Sequence, residues 1–285
     1  MGLDPRRLLK AIHHGLLPYR KWIRPLYWHV RFSLLNSRPI RAYTLSRRLK
    51  NRLDGFQCSV CESSRIFRIS FFIDHQVDKC YCEQCHHIFS QKLNQDLHKA
   101  SELFEYDKPN DQYEGQRHLQ VELIKSTSVA SGKYLDFGVG GNLGIADELQ
   151  RIHPLHEFHS CDLYPLSKQG YFQMYSPVSP FGSFDGISSN AVVEHLDNTL
   201  EAWRYLNRLL RPISEGGGLM IHAFPSQLVE DPGHWAIRIE SHECLFSKES
   251  LNLVCEKSGF KFAKMRYFTK VQHPVYYFRK TRDWR

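Results

Sequence analysis

The sequence contains no run approaching the ~20 uncharged apolar residues that a bilayer-spanning helix needs, so a membrane-spanning protein is not expected. It shows no secretory signal: the uncharged stretch between Lys10 and Arg20 is short and broken by His13, His14 and Pro18. Arg6 stands where N-myristoylation requires Ser or Thr. There is no internal repeat and no low-complexity tract. Acidic residues are almost missing from residues 1–50, where Asp4 faces 12 Lys and Arg. The remaining residues hold 26 bases and 29 acids, so the net +8 of the chain belongs entirely to its first fifty residues. That partition excludes a protein coating nucleic acid along its whole length. With 42% hydrophobic and 13% aromatic residues, the chain can bury a core, and wholesale disorder is excluded as well.

Cysteine is present but unevenly spread. Cys58, Cys61, Cys80, Cys82 and Cys85 fall together, whereas Cys161, Cys244 and Cys255 are scattered. A chain without a secretory signal is expected in a reducing, cytoplasmic compartment, where clustered cysteines suggest a metal rather than disulfides. Cys58-x2-Cys61 and Cys82-x2-Cys85 form two knuckles, each aiming two sulfurs at one ion. The β-leaning run at residues 66–73 between them brings the knuckles together. This spacing predicts a zinc-ribbon module over residues 51–100, with a closed and therefore structural four-thiolate zinc site. Cys80 is a spare that could replace Cys82, and His86 or His87 could intrude.

Residues 1–50 read as a basic helical arm interrupted by Pro5, Pro18, Pro25 and Pro39, with Tyr19, Trp22, Tyr27 and Trp28 interleaved among Arg20, Lys21, Arg24 and Arg31. This mix suits docking on the body of the protein, or an anionic membrane surface, where rings sit at headgroup level. It also suits RNA, which ranks behind these two. The expected location is cytoplasmic, or peripheral at the inner membrane face.

From about residue 101 the chain opens a larger unit with a helical lead-in, including Leu119, Leu123 and Ile124 on one face. Strands are expected at residues 134–137, 158–162, 184–189, 219–224, 260–269 and 275–280. Helices fall between them, one with Leu143, Ala146 and Leu149 on a face and one with Leu196, Leu200, Trp203, Leu206 and Leu210. Pro212 and Gly216-Gly217-Gly218 stop the second of these helices. Ser247 is the expected N-cap of a last helix, which ends at Gly259. Alternation of this kind indicates an α/β fold with a mostly parallel sheet. In such sheets ligands bind at the carboxyl ends of the strands. There Asp136-x-Gly138-x-Gly140 forms a glycine-rich turn, and Asp162 ends the next strand, where an acid can accept both ribose hydroxyls.

The order of these parts resembles the class I S-adenosylmethionine-dependent methyltransferases. The resemblance rests on Leu135-Asp136-Phe137-Gly138-Val139-Gly140-Gly141-Asn142, Cys161-Asp162-Leu163, the segment from Phe184 to Glu194-His195-Leu196, Leu209-Leu210-Arg211-Pro212 with the glycine triplet, and Ser258-Gly259-Phe260. It covers residues 115–285, and the Glu-His-Leu segment is similar to the small-molecule and glycan branch. It implies a Rossmann-like sheet of seven strands with helices on both faces. It also implies S-adenosylmethionine as cofactor, with Gly138 and Gly140 against its methionine part, Asp136 orienting the loop, Asp162 on the ribose and Asn190 flanking the methyl. Asn142 occupies the position of the family's third glycine; asparagine tolerates left-handed backbone better than most residues.

His195, His242 and the neighbouring Glu194 are the candidate catalytic residues, as base or substrate contact, with packing or helix-start roles as the alternative. His222 and His234 rank lower. No Asn/Asp-Pro-Pro-aromatic motif follows the strand around Asp185, and no Pro-Cys pair occurs. Those absences turn the reading away from the bases of nucleic acids, towards oxygen or carbon of a small molecule, sugar or lipid-linked glycan. The alternatives are an RNA methyltransferase gripping RNA through the arm and cysteine module, and a non-catalytic scaffold with the same fold.

Overall fold

The computed structural model describes residues 49–72, 76–90, 111–139, 144–162, 173–174, 181–196, 198–225, 242–271 and 273–284. The basic arm lies outside the described residues apart from its last two positions, as do Gly140, Gly141, Asn142, Leu143 and His234.

Two sheets organise the chain. The first carries the cysteines. Strands β1 (Leu49–Arg52), β2 (Ile66–Phe72), β3 (Gln76–Cys82) and β4 (Ile88–Ser90) run antiparallel in sequence order. A fifth strand comes from far along the chain: β10 (Cys244–Leu245) pairs Cys244 with Phe89 and Leu245 with Ile88.

The second sheet holds six strands of five to seven residues, with a two-residue strand, β7 (Gln173–Met174), at one edge. The six are β5 (Lys133–Phe137), β6 (Glu157–Asp162), β8 (Gly186–Asn190), β9 (Leu219–Ala223), β11 (Phe260–Arg266) and β12 (Val275–Lys280), in the spatial order β11-β12-β9-β8-β5-β6-β7. The sheet is mixed rather than mostly parallel. The pairings β5–β6, β5–β8 and β8–β9 are parallel, whereas β6–β7, β9–β12 and β11–β12 are antiparallel. The physical reason lies in the connections. Helical crossovers return the chain in the same direction, but the short link from β11 to β12 allows only a hairpin.

Strand alternation divides the core in two. On one face Tyr134, Leu219, Ile221, Val275 and Tyr277 pack with Leu119 and Leu123 of α1 (Asp111–Thr127) and Ile145 and Leu149 of α2 (Gly144–Ile152). On the other, Leu135, Phe137, Met220, Tyr276 and Phe278 meet Leu200, Trp203 and Leu206 of α3 (Thr199–Leu209) and Leu251 and Val254 of α4 (Lys248–Ser258). Cys58, Val60, Ile66, Cys82 and Cys85 belong to this second core, so the cysteine sheet and α3–α4 share one apolar interior. Fully buried Trp203 meets Phe246, Phe260 and Phe278 edge-on, at ring separations of 6.3, 6.0 and 4.8 Å. Truncating such a side chain costs about 3–5 kcal/mol.

The helix ends follow from local chemistry. Asn198 caps α3 by accepting from the Glu201 amide. Ser247 and Ser250 form a reciprocal capping box at α4, which stops at Gly259 in the left-handed region, φ +80°. A Cβ at Gly259 would lie 2.6 Å from the Arg282 carbonyl oxygen, so glycine is needed there for space as well as for conformation. Among the described residues, no helix is long and apolar enough to cross a membrane.

Candidate active site and cysteine cluster

The carboxyl end of β5 is the hub of the site. β5 lies between β6 and β8, and its neighbours on either side follow it at different points of the chain, the arrangement beside which ligands bind in open α/β sheets. The chain leaves β5 through Gly138, at φ +78°. A Cβ on Gly138 would come within 2.3 Å of a Val192 methyl, so glycine alone fits between the β5 turn and the segment after β8. The amides of Gly138 and Val139 both donate to the Cys161 carbonyl, at 2.9 and 3.2 Å. That contact brings the turn against the end of β6, where Asp162 follows Cys161; the Asp162 side chain lies outside the described residues. From beneath, Gln116 of α1 donates to the Gly138 and Val139 carbonyls at 3.4 and 3.3 Å. One turn later Gln120 donates to Ser188 Oγ of β8 at 2.7 Å. Asp136, one residue from the strand end, is buried at 3% exposure.

β8 ends at Asn190. Its Oδ1 is buried and has no hydrogen-bond partner, and its amide nitrogen lies beside Gly115 of α1. Ala191 then adopts φ +56° while its amide donates to the Ala223 carbonyl at 2.8 Å. A non-glycine residue in this region costs about 1 kcal/mol, and the bend it permits redirects the chain across the strand ends. A short 3-10 turn, Val193–His195, follows immediately.

This turn brings together three predicted catalytic residues. Glu194 is almost fully buried, and neither carboxylate oxygen has a hydrogen-bond partner. Burial pushes its carboxyl up to about 8. The His195 and His242 rings meet edge-to-face, with centroids 4.7 Å apart. One potential ligand atom from each of Glu194, His195 and His242 lies within 4.8 Å of the others. His222, the lower-ranked candidate, is a packing residue. Fully buried in β9, it shares a 2.5 Å hydrogen bond with Ser189 Oγ and packs on Trp203, and burial lowers its imidazole to about 3. Asp185 is structural too: it accepts from the Lys133 amide at 2.8 Å and pairs with Arg211 at 3.0 Å.

The four knuckle cysteines also converge. Cys58 and Cys85 sulfurs are 3.6 Å apart, those of Cys61 and Cys82 3.4 Å, and one sulfur from each of the four lies within 4.8 Å of the rest. Cys80 sits in β3 opposite Arg68 and Phe89, outside this group. His87 approaches Cys58 to 3.9 Å, yet its ring is sandwiched between Phe89 and Phe246.

The two clusters are physically joined. Lys79 of β3, buried at 2% exposure, donates to Ser90 Oγ at 2.8 Å and to the His242 carbonyl at 2.6 Å. Cys244 of β10 donates through sulfur to the Val193 carbonyl at 3.1 Å. Ser247 Oγ donates to the Cys85 carbonyl at 2.9 Å. Neither Lys79 nor Gln116 was expected from the sequence. The available signal for Gln116 and Gln120 was a polar i, i+4 pair beside the apolar Leu119–Leu123 pair; for Lys79 there was none.

The profile of the methyltransferase domain family matches residues 86–264. The chain belongs to this family. The match begins at His86, directly after the second cysteine knuckle, and ends in β11, so it takes in β4 and β10 of the cysteine sheet but none of the four knuckle cysteines. No curated protein sequence matches the chain. Among solved structures, the 1,6-didemethyltoxoflavin N1-methyltransferase of Burkholderia thailandensis, bound to 1,6-didemethyltoxoflavin and S-adenosylhomocysteine, is 13% identical, with 74% of this chain and 99% of that one covered at a TM-score of 0.43. The carbon methyltransferase CurJ is 13% identical over 66% of this chain and 60% of its own, at a TM-score of 0.37. CalH, described as a trans-methyltransferase in complex with SAH, is 13% identical over 60% of this chain and 57% of its own, at 0.34.

Proposed function

We propose that the chain is an S-adenosylmethionine-dependent methyltransferase acting on oxygen or carbon of a small molecule, sugar or lipid-linked glycan. The observation that carries this reading is the contact between Gly138 and Val192, which puts the β5 turn directly against the segment leading into Glu194 and His195. Cofactor loop and acceptor cluster are thereby two sides of one crevice. The residues fit the cofactor: the left-handed Gly138 turns the chain sharply at the end of β5, Asp136 and Asn190 lie near the carboxyl ends of β5 and β8, and Asp162 ends the adjoining β6. Gly138 and Gly140 would hold its methionine part, Asp136 would orient the loop, Asp162 would hold the ribose and Asn190 would flank the methyl.

When bound, S-adenosylmethionine supplies a methyl on an activated sulfonium, whose C–S bond breaks with its electron pair kept by sulfur. The chain's own task is to hold the acceptor in line and let it lose a proton. Glu194, His195 and His242 would receive that proton or hold the acceptor; their proximity to one another supports this role.

Cys58, Cys61, Cys82 and Cys85 are the proposed ligands of a structural zinc. In a tetrahedral site with Zn–S near 2.3 Å, sulfurs stand about 3.8 Å apart, close to the 3.4 and 3.6 Å measured here. The four ligands leave no open position for a substrate.

Calorimetry tests the reading. S-adenosylmethionine and S-adenosylhomocysteine should both bind the full chain at micromolar affinity, and Asp162→Asn should weaken binding at least about tenfold through loss of the charge on the ribose hydroxyls. His242→Ala should keep cofactor binding but lower methyl transfer about 100-fold. Absence of cofactor binding at millimolar concentration would leave the scaffold reading in its place.

A further inference from the structure

The Glu194–His195–His242 cluster has a composition that proton transfer alone does not call for. A proton acceptor needs one imidazole and an orienting partner. Here two imidazoles and a carboxylate converge, and the carboxylate is buried with both oxygens lacking a hydrogen-bond partner. Leaving such oxygens unmet costs about 1–3 kcal/mol for each polar group. A Gln at this position would carry its own donors, and an apolar residue would cost nothing. A carboxylate held in that setting beside two imidazoles has the donor set of a first-row divalent cation: nitrogen and oxygen together, with positions left open.

We propose that Glu194, His195 and His242 hold a divalent transition-metal ion that binds the acceptor's hydroxyl oxygen. The proposal rests on the reading of this cluster as the acceptor end of a methyl-transfer site, and it specifies the acceptor as a hydroxyl. Ligands about 2.1 Å from a shared ion in a tetrahedral or facial arrangement stand about 3.0–3.4 Å apart, so the three atoms, now within 4.8 Å of one another, need to close by about 1–2 Å at most. The sites differ in backbone support. Glu194 and His195 share the rigid 3-10 turn, whose Val193 carbonyl is held by Cys244. His242 comes from a separate segment, whose backbone is held by Lys79 through the His242 carbonyl at 2.6 Å. Three protein ligands leave room for the acceptor oxygen and water, in contrast to the closed thiolate cluster.

A bound ion acidifies the hydroxyl it coordinates. The O–H bond breaks and its proton passes to solvent, leaving the electron pair on oxygen. That oxygen then forms the new C–O bond as the C–S bond of the cofactor breaks and sulfur keeps the pair. No oxidant or reductant is needed, and the ion keeps its charge throughout.

The test uses Co2+ with the full-length chain after zinc supplementation. Cobalt at a nitrogen and oxygen site gives weak visible bands; at a thiolate site it adds intense near-ultraviolet charge-transfer bands. The expected result is one saturable Co2+ per chain without the thiolate bands, bound at least tenfold more weakly by Glu194→Gln and by His242→Gln. Glu194→Gln keeps shape and volume, and circular dichroism melting reports whether each variant is folded. If either fails to fold, His195→Gln, at a partly exposed position, takes its place. No saturable uptake, equal uptake by the variants, or uptake carrying thiolate bands overturns the proposal. Cobalt uptake without cofactor binding would retain the metal site and remove the methyltransferase reading; cofactor binding and transfer without cobalt uptake would do the reverse.

Discussion

Two clusters of metal-binding residue types lie among the described residues, and they are built in opposite ways. The cysteine cluster takes all four sulfurs from two short knuckles of one small antiparallel sheet, with three of the cysteines buried and Cys61 partly exposed. The Glu194–His195–His242 cluster takes its members from two segments 47 positions apart, and one of them, His242, lies two residues ahead of β10, a strand of the other sheet. A closed site has a purely structural task, whereas a site assembled from distant walls is one whose geometry the rest of the molecule sets. The joint between them is compact. β10 completes the cysteine sheet and precedes α4, while Lys79 and Cys244 reach the backbone around the second cluster. The cysteine sheet is therefore hydrogen-bonded to both segments that carry the candidate cluster.

The largest expected effect comes from removing the first cluster. A structural zinc of this type contributes about 10–16 kcal/mol of binding free energy, against about 5–15 kcal/mol for the stability of a whole domain. Cys58→Ser with Cys82→Ser should abolish zinc binding, measured by elemental analysis, and lower the melting temperature sharply. Because β4 carries β10, methyl transfer should be lost with it. Retention of full transfer by the zinc-free protein would show that the cysteine sheet plays no part in the site.

Lys79→Met separates the clusters more gently. The substitution removes a buried ammonium, which relieves desolvation, but it also removes the donors to the His242 carbonyl and Ser90 Oγ. Those two terms oppose each other in stability, hydrogen bonds to charged groups being worth about 1.5–3 kcal/mol each. Only the second acts on the position of His242. The expected outcome is unchanged zinc content, a shift of a few degrees in melting, and a fall of about tenfold or more in kcat/KM. Parallel loss of zinc and activity would mean that Lys79 serves the cysteine sheet alone.

How far the sequence disclosed this arrangement depended on the range of each signal. Local ones were legible: the two Cys-x2-Cys knuckles, the Ser247 cap, Gly259 as helix stop, and the strands at β5, β6 and β12 all sit within two residues of where their patterns placed them. The apolar stripe of α3 was legible as well, although Leu196 and Leu210 lie just beyond the helix, because Asn198 caps it later and the backbone turns extended at Leu210. The mixed sheet was not, since strand direction depends on which neighbour a strand finds. On α2 the expected Ala146 and Leu149 do pack on the core, joined by Ile145, while Leu143 lies outside the described residues. The site residues Glu194, His195 and His242 were named singly; their convergence needed β10 to join the other sheet, a pairing of two residues too short to be seen in any periodicity. Lys79 carries no sequence signal because its partner is a backbone carbonyl, which every residue has.

The smallest effect concerns Ser247, and it tests whether the joint is rigid. Its hydroxyl accepts from the Ser250 amide at 3.1 Å, which caps α4, and donates to the Cys85 carbonyl at 2.9 Å, which ties that cap to the second knuckle. Alanine removes both. Loss of a serine cap costs about 0.5–2 kcal/mol, and a neutral hydrogen bond adds about 1 kcal/mol. Ser250 retains its hydroxyl on the Ser247 carbonyl at 3.2 Å and so softens the loss. Ser247→Ala should therefore destabilise the chain by about 1–2 kcal/mol in urea unfolding while zinc content stays intact. Ser247→Thr, which keeps the hydroxyl, should restore most of that. If alanine instead releases zinc, the knuckle depends on α4 for its shape, and the cysteine sheet and the methyltransferase domain fold as one cooperative unit.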